Sequence, residues 1–260
     1  MLLRLLTLAL LCSAAPLRSA APDVEAILRK FIETSEDPEL EARRNSFAYQ
    51  RTSQVNYLDD DGSTRRTRVR VYRVTPENGR PVTRLISVNG RAASDPQEKE
   101  RSAARETGEK SRSIGVSEEL LSRFNFTFLR EETFASRPMW VLAFRAREDA
   151  PRDDFMDKLI NAMSGAIWID QEDSQMAKAE IKLSDRVSFF AGLPGAIHKL
   201  QLTVFQRRIE PSIWLTEAIH IDFSGRKLFS SMRFRCFETC SNFENIPVQH
   251  ASASNLPAEK

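Results

Sequence analysis

Three histidines and three cysteines, with a run of aspartates, are the residues most able to do chemistry in this chain. Catalysis needs such groups to converge, and their spacing argues against it. His198, His220 and His250 stand apart. On a strand His220 shares a face with Thr216 and Asp222, which favours a solvated or locally bonded imidazole over a general base. A zinc site built from Cys236, Cys240 and a distant His would use an unusual ligand spacing on a strand. Neither a Gly-x-Ser-x-Gly elbow nor a phosphate-binding Gly-rich loop occurs in the sequence. Asp59-Asp60-Asp61-Gly62 opens like a calcium loop, but the twelfth position is Arg70, where a bidentate Glu is required. It reads as a turn. Asn125-Phe126-Thr127 matches a glycosylation sequon, which carries no catalytic chemistry. The expectation is a protein that is not an enzyme and has no catalytic residue, metal or cofactor. Arg66, Arg68 and Arg70 alternate along one strand, either as a plain solvated face or as a patch for anionic lipid or a partner.

The elements that would carry these residues follow a short apolar leader. Residues 1–21 have an early Arg, an apolar run of about ten residues and then small residues, the pattern of a secretory signal peptide. Cys12 sits in a poor lipoprotein processing box, so a lipid anchor is not expected. Removing the leader takes away Arg4 and Arg18 and lowers the formal charge from +2 to zero. A balanced chain disfavours nucleic-acid binding, which draws most of its affinity from neutralised phosphates. Of 260 residues enough remain for one large domain over 22–246, followed by a polar tail at 247–260. If Cys236 and Cys240 lie on one straight strand, their sulfurs are about 13 Å apart. Free, partly buried thiols are expected, and a disulfide would need a bend between them.

Asp23 can cap a first helix whose stripe is Val24, Ile27, Leu28, Phe31 and Ile32. A polar break follows, and from Phe47 the period changes to two. Strands joined by the turns at Asp59 to Gly62, Pro76 to Gly79 and Asn89-Gly90 make a meander. Residues 94–113 form a charged helical insert with almost no apolar face. Phe126 and Phe128, then Trp140, Leu142 and Phe144, present aromatic and apolar groups to one face. Ile181 and Leu183 do so on the cleanest alternating strand. Later strands bring the number to about ten, and their length predicts strong coiling under accumulated twist.

This order of elements, with "YRV", "RLISVNGR", "REETFASRPMWVLAFRA", "GAIWID" and "AEIKLSDRVSFFAGLPG", resembles the bacterial outer-membrane lipoprotein-sorting (lipoprotein carrier, LolA/LolB-like) superfamily. The resemblance implies an α+β fold: a strongly curved antiparallel sheet, an unclosed half-barrel, with helices covering its concave face around an apolar cavity. Ile27, Phe31, Phe126, Phe128, Trp140, Leu142, Phe144, Ile181 and Leu183 would line that cavity or fill it as core. Phe189, Phe190 and Leu193, held by Gly192, Pro194 and Gly195, would lie in a rim loop that packs inward or touches a membrane through 189–197. The implied role is a monomeric periplasmic carrier or chaperone for a lipid, a lipidated protein or another amphiphile. The alternative is an envelope interaction or sensor protein with a filled core.

Overall fold

The computed structural model describes residues 22–93, 118–151, 153–190, 194–227 and 230–246. The expected leader, the whole of the charged insert at 94–113 and the C-terminal tail lie outside them. Helix α1 spans Val24–Ser35, and the Asp23 carboxylate accepts hydrogen bonds from the backbone N–H groups of Glu25 (3.0 Å) and Ala26 (3.2 Å). These are two of the donors that a helix start leaves unmatched. The apolar stripe buries Ile27 and Phe31. Helix α2, Pro38–Asn45, occupies the segment that the sequence suggested as a polar break. It has no buried residue, hence no periodicity to reveal it. Its signal was Asp37-Pro38, a cap followed by a residue whose φ already suits a first helical turn.

Twelve strands follow among the described residues: β1 Phe47–Leu58, β2 Thr64–Glu77, β3 Arg80–Val88, β4 Arg91–Ala92, β5 Phe124–Phe134, β6 Arg137–Ala146, β7 Met163–Asp170, β8 Met176–Leu183, β9 Val187–Phe190, β10 Pro194–Glu210, β11 Ile213–Lys227 and β12 Ser230–Asn245. Among the described residues two short helices interrupt them, α3 at Glu118–Ser122 and α4 at Phe155–Asn161. The tight turns fall where the sequence placed them. Asn78-Gly79 and Asn89-Gly90 both have positive φ, the conformation that two-residue hairpin loops demand.

All pairings are antiparallel, in the order β4-β3-β2-β1-β12-β11-β10-β8-β7-β6-β5, with β9 pairing β10 off this path. The first strand therefore pairs with the last, and the chain passes from β4 at one edge to β5 at the other. The strongly curved half-barrel does not hold: these strands form an open sheet that is neither strongly curled nor closed. Twist alone predicts a propeller-like sheet, and closure also needs a matched stagger of register all the way round. A sheet this wide relieves its twist by flattening as readily as by coiling.

Both faces of the sheet carry a buried cluster, which a half-barrel with one solvated face would not show. On one, α1 lays Ile27 and Phe31 against Leu142, Phe144, Ile167, Ile169 and Val204. On the other, Met139, Val141, Trp168, Ala177 and Trp214 pack together. Burial on both sides explains why "MWVLAF" and "AIWI" are unbroken apolar runs.

The turn after β7 is pinned by charge. Asp170 is fully buried; Arg137 of β6 meets both its oxygens (2.8 Å to Oδ1), and Oδ1 also accepts from the N–H groups of Glu172 (3.0 Å) and Asp173 (2.7 Å). The bond to Asp170 raises the pKa of Arg137 further. Asp173 accepts from Arg208 Nε (2.6 Å) and from the Trp214 indole N–H (2.9 Å). Burial pushes its pKa up, but these two donors outweigh it and hold the carboxyl below its ordinary value. One hexapeptide turn thus ties β6, β7, β10 and β11 together.

Candidate functional site

Helix α1 gathers most of the residues singled out from the sequence. Ile27, Phe31, Leu142 and Phe144 are buried in the cluster beneath it, and Phe126, Phe128, Trp140 and Ile181 pack half-buried against that cluster. Phe124 lies 5.2 Å from Phe144, edge to face at 79°, and Phe126 stands 6.0 Å from Phe144, tilted at 42°. Such tilted pairs set the positive ring edge on the negative ring face. Leu183, at the end of β8, is half-buried and outside the cluster. Phe189 and Phe190 belong to β9, which pairs Phe190 with Pro194 and Phe189 with Gly195. The expected rim loop is thereby mostly a hairpin; Leu193 lies outside the described residues.

The seating of α1 is asymmetric. At its C-terminal end the carbonyl of Thr34 accepts from Gln175 Nε2 (3.2 Å) and from Arg44 (3.1 Å), which fastens the helix to the pinned turn and to α2. Towards its N-terminus Val24 and Leu28 join Ile27 and Phe31 in purely apolar contact with the sheet. The helix is thus held by polar bonds at one end and by apolar surface along its body.

A second feature lies on the opposite face. A groove of about 820 Å³ runs across β5 to β8 and β10, and its lining includes Asn125, Thr127, Arg145, Ser164, Lys182 and Thr203. Pairing puts these residues on the side away from α1, because directly opposed residues share a face. Its floor is low where Ala143, Gly165 and Ala166 adjoin. At Gly165 a Cβ atom would sit 1.9 Å from the Glu180 carbonyl oxygen and 2.8 Å from the Phe144 ring, so glycine is what permits this close packing. Of the residues proposed from sequence, Phe144 and Ile181 also border the groove. Asn125, Thr127, Arg145, Ser164, Lys182 and Thr203 went unnoticed because they occupy the polar parity of their strands; the run of small residues on adjacent strands was the available signal.

The remaining reactive groups have local structural partners. Cys236 and Cys240 are free and buried; Cys236 Sγ lies 3.8 Å from the Ser53 hydroxyl, and burial pushes the Cys240 thiol up to about 11. His220 sits between Phe205 (5.5 Å) and Phe237 (5.3 Å) in edge-to-face contact with both rings. Asp59 to Gly62 is a turn, closed by the Gly62 N–H on the Asp59 carbonyl (3.0 Å). Among the described residues no group of three His, Cys, Asp or Glu side chains could hold a metal ion, and no helix is long and apolar enough to cross a membrane.

No family model matches the chain, and no curated protein sequence matches it. Among solved structures it is similar to an outer-membrane lipoprotein-sorting protein domain of Vibrio parahaemolyticus, at 11% identity over 84% of this chain and 90% of that one, with a TM-score of 0.38. It is also similar to a LolA superfamily protein of Nitrosomonas europaea (12% identity, 86% and 94% covered, TM-score 0.33). A DUF1329 family protein of Desulfovibrio piger gives 10% identity, 85% and 92% coverage and a TM-score of 0.36. The likeness is one of structure and says nothing of a ligand.

Proposed function

We propose that the chain is an exported, non-enzymatic carrier or chaperone of the periplasm, which shelters the apolar part of a lipid, a lipidated protein or another amphiphile between α1 and the sheet. The observation that carries this reading is the seating of α1, bonded at Thr34 and otherwise resting on apolar surface. Burial of Ile27 and Phe31 contributes roughly 1.5–3 kcal/mol each. An acyl chain that took their place would recover the same free energy with about four to eight buried methylenes, at about 0.8 kcal/mol each. Exchange of the helix for a fatty chain is therefore close to balanced, as a carrier that must also release its cargo requires. Phe126, Phe128, Trp140, Leu142, Phe144 and Ile181 would then receive the chain, with Leu183 at its margin. The β9–β10 hairpin, through Phe189, Phe190 and Leu193, is the proposed membrane contact.

The test is to purify the mature protein from the envelope of an expressing bacterium, extract it with organic solvent and weigh the bound lipids. Stoichiometric lipid is expected. Empty protein that also takes up nothing from liposomes would refute the reading. A second reading has its own support: Phe31, Leu142 and Ile169 are almost fully enclosed, as in a core that side chains fill. An envelope interaction or sensor protein on this scaffold would come out of the same experiment without lipid.

A further inference from the structure

Two rungs of paired residues make the groove on the face away from α1. One is Asn125, Arg145, Ser164, Lys182 and Gln201; the other is Thr127, Ala143, Ala166, Glu180 and Thr203. Opposed residues share a face, so each rung crosses β5, β6, β7, β8 and β10 as a single line. Four strand spacings give the groove a length of about 19 Å. The two alanines, beside Gly165, keep its floor low in the middle, while amide, hydroxyl and cationic side chains stand along it.

The charges in the groove do not cancel. Its carboxylate, Glu180, is taken by Lys178, whose Nζ lies 2.6 Å from Oε1 and whose ammonium also covers the Trp168 ring at 4.3 Å. Arg145 and Lys182 are exposed, and neither has an ion pair or a side-chain hydrogen bond among the described residues. Two strand spacings, about 10 Å, separate them. The side chains of Asn125, Thr127, Gln201 and Thr203 are likewise without hydrogen-bond partners among the described residues. Amides and hydroxyls both donate and accept, so they match a ligand rich in hydroxyl groups. The methyl groups of Ala143 and Ala166 between them suit the C–H face of a sugar ring. A docked protein segment would instead look for a deep apolar pocket to hold an anchoring side chain. The large ring beside the groove, Trp168, is roofed by Lys178 and offers none.

We infer that this groove binds a linear acidic oligosaccharide, with carboxylates on alternate sugars meeting Arg145 and Lys182 and the rings lying on Ala143 and Ala166. A guanidinium takes a carboxylate in a paired, charge-assisted fork, and the ammonium of Lys182 takes the next as a point charge. A neutral oligosaccharide uses the same floor and amides but leaves both cations without a counter-charge. The site is separate from the face that α1 covers and does not depend on what that face holds.

Titration calorimetry on the full mature chain at low salt decides this, with three probes. They are a hyaluronan tetrasaccharide, which carries a carboxylate on every second sugar, uncharged chitotetraose, and a blocked Glu-Ser-Ser-Glu peptide, whose carboxylates stand about 10 Å apart when it is extended. The acidic tetrasaccharide should bind about tenfold tighter than chitotetraose, and the ratio should shrink as salt is added. In Arg145→Gln/Lys182→Gln the two tetrasaccharides should bind alike, with chitotetraose affinity and the thermal melt unchanged. Lys182→Glu, at an exposed position, should turn the preference towards chitotetraose and serves where the double variant fails to fold. Equal affinities for the two tetrasaccharides in the unsubstituted protein, a preference that survives both substitutions, or no binding of any probe would each overturn the inference. So would a peptide that binds as tightly as the acidic tetrasaccharide, since the occupant would then be an acidic protein segment. Bound lipid is measured apart from these titrations, so their failure and that of the carrier reading are distinguishable.

Discussion

If α1 is a hinged cover, truncating Phe31 should free the helix without unfolding the sheet. Phe31 is 2% exposed, and replacing such a ring by Ala in a rigid site costs about 3–5 kcal/mol. That loss reaches the global unfolding free energy only if α1 and the sheet unfold together. Where the helix can leave by itself, the loss is capped at the free energy that docks it. The burial of Ile27 and Phe31 contributes roughly 3–6 kcal/mol in total, and part of it is offset by the entropy of ordering the helix. The net docking energy is accordingly small. Phe31→Ala should lower the urea-derived stability by less than about 2 kcal/mol. Leu142→Ala, beneath the helix on β6 and fully buried, should cost the full range of about 2–5 kcal/mol. Amide hydrogen exchange supplies the second reading: in Phe31→Ala the protection of residues 27–35 should collapse while that of β6 and β7 persists. A loss near 4 kcal/mol in one cooperative transition, with α1 amides exchanging only by global unfolding, would refute the hinge.

Arg137→Ala leaves the buried Asp170 carboxylate without its cation and should cost about 3–5 kcal/mol, at the lower end because two backbone N–H groups still bond it; chemical denaturation measures this, and a change under about 0.5 kcal/mol would show that the turn is not pinned by charge. The depressed pKa of Asp173 makes its contribution fully present above the ordinary carboxylate value of about 3.9 and lost as pH falls through the lower folded value, so Asp173→Asn should flatten the acid limb of a stability–pH curve. Gly165→Ala drives a methyl group into the Glu180 carbonyl and should cost at least about 1–3 kcal/mol, read from the melting temperature; an unchanged melt would mean that β7 and β8 can part freely. Cys236 and Cys240 should resist a disulfide-exchange reagent at pH 8 in the native protein and react at once in denaturant, since burial raises both thiols; fast native labelling would contradict their enclosure.

Much of the local structure was legible in the chain itself. Asp23 and its apolar stripe specified α1, Asn-Gly pairs specified two hairpin turns, and the alternation in β8 specified which of its residues share a side. The parity of the arginines was legible too: in β2, Arg66, Arg68 and Arg70 stand in step with Tyr72 and Val74, so a single face had to hold both kinds of residue. Alternation is a local property, however, and cannot tell which side of a distant strand that face continues onto. The pairings of β1 with β12 and of β8 with β10 decided that the arginine side of β2 is the side of Leu142, Phe144 and α1. They also set the groove behind the aromatic cluster and left the sheet open where its twist had suggested a half-barrel. Register between segments far apart in sequence is fixed by the joint packing of many side chains, and no one segment contains that information.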